Sequence, residues 1–166
     1  HDDVDHLLQR LTQQAPKLAD ALKNQLSLTQ QHRVYRQLLT EEVSLRDIVS
    51  IATALVEGSE STKDPVLLCA DVRYALRRNI VTSIAGDRTE LTVFVLDNNL
   101  ENTLLSALSI AKQAGPVSLD NIPVEPNLLN QLQTSMPVVK EKLRKEGHPP
   151  VLAVMPQLRP LLARYA

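Results

Sequence analysis

The stretch from Val43 to Val81, VSLRDIVSIATALVEGSESTKDPVLLCADVRYALRRNIV, does most to limit what this chain can fold into. It holds two helix starts and two apolar stripes. Ser44, answered by Asp47 three residues on, reads as a capping box, and Gly58 reads as the end of that helix. Asp64 caps a second helix whose first position is Pro65, where the missing N–H costs nothing. Ile48, Ile51, Ala52, Leu55 and Val56 make one stripe at helical spacing; Leu68, Val72, Ala75, Leu76 and Ile80 make the other. Two such stripes must bury against each other or against further helices.

The residues before this pair continue the pattern. Val4, Leu7, Leu8 and Leu11 predict a helix from about Asp3 to Gln13. Pro16 opens a second, to about Asn24, with Leu18, Ala21 and Leu22 inward. Ser27 or Thr29 caps a third, which carries Val34, Leu38 and Leu39 to Glu41-Glu42. No strand is expected before Ala85. At Gly86-Asp87 the character changes: Glu90–Leu96 (ELTVFVL) is β-rich and apolar on both faces, which predicts a strand in a sheet covered on both sides. Asp97 caps a helix through Leu100, Leu104, Leu105 and Leu108 to Lys112. A short strand is expected around Val117 to Leu119. Asn127–Glu146 is helical but holds Pro137, which should kink or split it. Val151–Met155 is a further strand, and Leu158, Leu161, Leu162 and Tyr165 share one face of a last helix. The expected fold is mixed α+β. Residues 1–85 form an all-helical subdomain, and residues 86–166 form a small α/β subdomain with a short, mostly parallel sheet and a right-handed crossover.

Composition excludes several function classes. Aromatic residues are 2% of the chain, so the core must be aliphatic and single-stranded nucleic acid finds no stacking platform. A net charge of −1 leaves no electrostatic footprint for nucleic acid or an anionic membrane. Cys69, the one cysteine, permits no internal disulfide and suits a reducing compartment. No apolar run approaches the ~20 residues needed to span a bilayer, and the opening HDDVDHLL is too polar for a signal peptide.

No catalytic set is found. The glycines are isolated, so neither a phosphate loop nor a dinucleotide fingerprint exists. His1, His6, His32 and His148 never fall at ligand spacing with Cys69, so no metal and no cofactor are expected. Cys69 reads as a structural thiol, and the Lys140, Lys142, Arg144, Lys145 cluster, interleaved with Glu141 and Glu146, as a solvated helix face. The candidate interface residues are Arg46, Arg73 and Arg77. Arg73 and Arg77 sit at i,i+4, where like charges repel unless something acidic meets them. Arg46 sits in a first turn whose dipole disfavours a cation. A competing reading joins the helix from Thr29, a Glu41–Ser44 turn and the helix from Leu45 as a DNA-binding helix-turn-helix. Its reading helix offers Arg46 but also Asp47 and Glu57, and too few donors for bases or phosphates.

Several short motifs point to one family. Ser44-Leu45-Arg46-Asp47, Asp64-Pro65 and the run from Val72 to Ile80 (VRYALRRNI) are joined by Val93-Phe94-Val95-Leu96-Asp97. Gly147-His148-Pro149-Pro150-Val151-Leu152 and Leu158-Arg159-Pro160-Leu161-Leu162 follow. Together they resemble the export-gate proteins of type III secretion systems, in particular the flagellar FlhA branch rather than its injectisome SctV relatives. The resemblance implies a non-enzymatic part of a cytoplasmic region on the inner face of the bacterial inner membrane, with a membrane-embedded region upstream. It further implies assembly into a homo-oligomeric ring, delivery of export substrates with their chaperones, and contact with the stalk of the ATPase complex. The helical half would match the family's ring-forming subdomain. The α/β half would match the next one, which in family members continues beyond a residue such as Ala166. The family's main chaperone groove lies in earlier subdomains.

Overall fold

The computed structural model describes residues 2–115, 122 and 124–165. Contacts divide the chain into two compact units, His1–Ser83 and Ile84–Ala166. The first is built from helices alone: α1 (Asp2–Gln14), α2 (Pro16–Gln25), α3 (Leu28–Thr40), α4 (Ile48–Ser59), α5 (Pro65–Ala75) and α6 (Arg77–Ala85), the last running on into the second unit. α4 packs on α5 and on α2, α3 packs on α5, and α1 lies against α2. Leu11, Leu22, Leu38, Ile51, Leu55 and Leu68 are fully enclosed in the shared core, each worth about 1.5–3 kcal/mol relative to exposure. The expected all-helical first half and the aliphatic core are both present.

Capping is largely where the sequence puts it. Ser27 closes a capping box with Gln30 at the start of α3, and Asp64 accepts the Val66 amide ahead of Pro65. Among the described residues Gln31 and Ser59 are buried polar side chains; Ser59 donates to the Val56 carbonyl, and Gln31 is the larger. Its Nε2 donates to the Leu26 carbonyl at 2.9 Å and its Oε1 accepts the Tyr35 hydroxyl at 3.5 Å. The amide thereby closes the end of α2 onto α3 and avoids the cost of an unmet buried donor.

Four expectations fail in this unit, each for a local reason. α4 starts at Ile48, with Asp47 itself the cap on the Ser50 amide, while the Ser44 hydroxyl accepts the Arg46 amide outside the helix. Gly58 lies inside α4. Its role is close approach: a Cβ there would stand 2.6 Å from Asp71 Oδ2 and 3.1 Å from Leu68 Cδ2 of α5. The Pro65 helix stops at Ala75. Leu76 takes φ −87° and ψ 8°, and the Arg77 guanidinium donates to the Tyr74 carbonyl at 2.9 Å. That charged donor joins the Leu76 amide on the same carbonyl, and the turn keeps Leu76 in the core while Ala75 faces water. Leu39 is 58% exposed, because Leu38, one helical step away, takes the inward position.

The second unit carries β1 (Phe94–Val95), α7 (Asn98–Gln113), α8 (Pro126–Lys145), β2 (Leu152–Ala153) and α9 (Arg159–Leu162). β1 and β2 pair in parallel, Phe94 opposite Leu152 and Val95 opposite Ala153. Leu104, Leu108, Leu132, Leu158, Leu161 and Leu162 form its core. The mixed α+β class and the short parallel sheet are as expected. The strands are shorter than the runs Glu90–Leu96 and Val151–Met155, since a two-stranded ladder pairs only where both chains run side by side. Nor is the sheet covered on both faces: Phe94 and Leu96 turn inward, but Val93 and Val95 are 38% and 68% exposed. Pro137 does not split α8, which runs unbroken through it. The last helix is a single turn, with Pro160 as its second residue, and is flanked by turns. The strand expected at Val117 to Leu119 lies outside the described residues.

Candidate functional site: an arginine-bearing helical surface

The three candidate arginines of the first unit engage three different neighbours. Arg46 is exposed and stands one residue before the α4 cap, not in its first turn. Its carbonyl accepts the Arg10 guanidinium at 3.3 Å. Arg73, half-buried on α5, pairs with Glu41 at the end of α3, Nη1 to Oε2 3.1 Å. The other Glu41 oxygen accepts Gln37 Nε2 at 2.7 Å. A carboxylate at a helix C-terminus meets the negative end of the dipole, so Arg73 offsets that penalty and ties α5 to α3. The partner of Arg73 is therefore acidic, as its charge demands, and lies within the chain.

Arg77 lies in a different helix from Arg73, so the i,i+4 repulsion argued from a continuous helix does not arise. Its guanidinium stacks on the Tyr74 ring, 4.6 Å from the centroid, a contact worth about 0.5–1 kcal/mol at an exposed site. Tyr74 is 60% exposed and Val81 51%, and no residue of α6 is buried. Sequence reasoning placed Tyr74 and Val81 in no site. The available signal was the pairing of an outward tyrosine with an arginine three residues on, residue types that dominate protein contacts when they meet at a surface.

Cys69 is enclosed in the core. Burial pushes the Tyr35 phenol up to about 12 and raises the Asp71 carboxyl above its ordinary value. Lys142, Arg144 and Lys145 are exposed in the last turn of α8, where cations complement the dipole. No group of three or more His, Cys, Asp or Glu among the described residues could hold a metal ion. The helix-turn-helix reading loses its geometry, since residues 41–47 separate α3 from α4 and Arg46 falls outside the would-be reading helix.

Comparison with known proteins then decides the family, for the FHIPEP family model matches residues 1–166. This chain belongs to the FHIPEP family. A relative in Escherichia coli O44:H18 (strain 042), named as a flagellar export/assembly protein, LfhA, is 55% identical over 166 residues, all of this chain and 24% of the relative. The flagellar biosynthesis protein FlhA of Salmonella typhimurium is 36% identical over 164 residues, 98% of this chain and 22% of that protein. The FHIPEP chain thus spans about a quarter of the length of these relatives. They place it on the flagellar branch that its motifs resemble.

Solved structures share the fold of this FHIPEP member. Chlamydia pneumoniae CdsV superposes with a TM-score of 0.79 at 21% identity, covering 99% of this chain and 46% of that one. CdsV in complex with CdsO gives 0.74 at 22% identity over 99% and 47%. Nonameric SctV-C of EPEC gives 0.68 at 23% identity over 94% and 52%. No described helix is long and apolar enough to cross a membrane.

Proposed function

We propose that this chain is a scaffold and docking segment of the cytoplasmic region of a flagellar-type III export gate. The observation that carries the reading is the family match along residues 1–166 together with 55% identity to a flagellar export/assembly protein. Residues 1–85 serve as the ring-forming subdomain and residues 86–166 as the α/β subdomain that follows it in the chain. The nonameric state of a protein with this fold supports ring assembly, and the CdsV–CdsO complex supports contact with a stalk protein. Delivery of chaperone-bound substrates rests on family membership. The intact protein is anchored in the inner membrane by regions outside this chain, and the segment works by binding, not by catalysis.

Within this reading Arg46, Arg73 and Arg77 lie on the ring-facing surface. Arg46 and Arg77, both exposed, contribute directly, while Arg73 holds α5 against the end of α3. The test is charge reversal in the intact gate. Arg46→Glu or Arg77→Glu should lower cross-linked ring species and flagellar export while leaving the melting of the isolated chain unchanged. Export and cross-linking at wild-type levels in both variants would remove these residues from the interface. Failure of the unaltered gene to restore motility to a gate-deficient strain would remove the function itself.

A further inference from the structure

The second unit contains a cleft that the export reading does not use. Its floor is the inward face of the sheet, Phe94 of β1 and Leu152 of β2. One wall is α8, through Met136 and Lys140 a turn apart, and the other is α9, through Arg159 and Leu162. The volume is about 230 Å³, below the ~300–1,000 Å³ of sites that enclose a whole small ligand. It is room for one or two apolar side chains. Phe94 is the chain's one phenylalanine and is left half-buried, so the largest apolar ring available lies open in the cleft.

The described charge at the cleft is cationic. Among the described residues that line it, Lys140 and Arg159 are the ionisable ones. Lys140 is exposed and has no hydrogen bond or ion pair to another described residue. The rest of the basic cluster on α8 fits the solvated-face reading, whereas Lys140 stands at the edge of an apolar hollow. An apolar floor with a cationic rim fits an occupant with the converse pattern.

We propose that this cleft is a docking site for an acidic, apolar peptide segment of another protein. One apolar side chain seats on Phe94 and Leu152, and a neighbouring Asp or Glu meets Lys140. Charge-assisted contact with a carboxylate fixes the register of the segment, and burial of its apolar anchor supplies most of the affinity. The proposal rests on the cleft alone and not on the export-gate reading.

A fluorescein-labelled leucine–glutamate peptide titrated into the full 166-residue chain tests it, with amide chemical-shift mapping to locate the contact. Saturable binding is expected, with shifts at Phe94 and Leu152. Lys140→Glu should weaken it at least tenfold, and Ala163→Trp, which fills the mouth, should do the same. Lys145→Glu, outside the cleft, should leave it unchanged. Melting of the variants checks that the exposed substitutions preserve the fold. The proposal is overturned by absence of binding at millimolar peptide, by equal binding of leucine–lysine or serine–glutamate peptides, or by shifts elsewhere. Self-association of the chain that Lys140→Glu abolishes would make a second copy the occupant, and would also overturn it.

Discussion

Breaking the Arg73–Glu41 pair should destabilise the first unit, and the size of the loss follows from its setting. The charged atoms are 3.1 Å apart, with side-chain exposures of 20% and 13%. Two unit charges ~4 Å apart attract by about 4 kcal/mol at an effective dielectric of 20, but desolvation removes most of that. Fully exposed pairs keep about 0–1 kcal/mol. This pair, half shielded and with the second Glu41 oxygen already held by Gln37, should keep a coupling of about 1–2 kcal/mol. Arg73→Met retains the packing of the stem and isolates that quantity in a double-mutant cycle with Glu41→Gln. Arg73→Glu should cost more, about 2–3 kcal/mol, because it sets two carboxylates against each other. For a unit of this size 1 kcal/mol moves the melting temperature by roughly 4–8 °C. Urea titration by circular dichroism gives the energies, and hydrogen exchange at the Val43 and Leu76 amides assigns them to the first unit. A coupling under about 0.3 kcal/mol would refute the argument, and would return Arg73 to the set of residues available to a neighbouring subunit.

Leu76→Ala, at a position 3% exposed, should cost about 2–5 kcal/mol by urea titration, the transfer and cavity terms adding. Gly58→Val should lower the melting temperature more than Gly58→Ala, since both press on enclosed Leu68 and only Val adds a branched side chain; equal melting would mean that α4 and α5 are not in close contact there. Glu42 holds φ 58° in the turn after α3, where its neighbour's amide reaches back from Val43 to Leu38. Glu42→Gly should therefore stabilise by up to ~1 kcal/mol, strain relief exceeding the added freedom of the unfolded chain. Tyr35, its phenol raised by burial to about 12 from 10.0, holds its proton more tightly folded than unfolded. Its contribution is complete below pH 10, and stability should fall as pH rises from there towards 12. Absorbance at 295 nm should show one tyrosine titrating late, and Tyr35→Phe should remove that step.

The helices were legible because their punctuation is local. Ser27, Asp64, Pro65 and Asp97 each satisfy or excuse an amide within three residues, and a single sequence displays that directly. The errors arose where a distant contact decides. Gly58 resembles a helix terminator until the approach of Leu68 and Asp71 from the next helix is known. Ser44 resembles a cap until Asp47 takes the amide. The break after Ala75 falls at Leu76, a member of the apolar stripe that stays in the core, so periodicity does not register it. Of the candidate site, the cationic surface was visible as uncompensated charge, but not the pairing of Arg73 with Glu41, because the two lie on separate helices. The aromatic partner of Arg77 was adjacent in sequence, yet it was read as an ordinary helix residue.

The parallel pairing of Phe94 with Leu152 has a consequence for how the chain reaches its native state. Parallel strands cannot be joined by a tight turn, so here α7 and α8 must be threaded between the partners before the ladder can close. The first unit, built from helices alone, has no such ladder to close, and all-helical units as a class fold in microseconds to milliseconds. During synthesis the first unit emerges complete while β1 still waits for β2, the outward valines Val93 and Val95 exposed and the strand edge unpaired. Throughout that interval the second unit is the part of the nascent chain most open to aggregation.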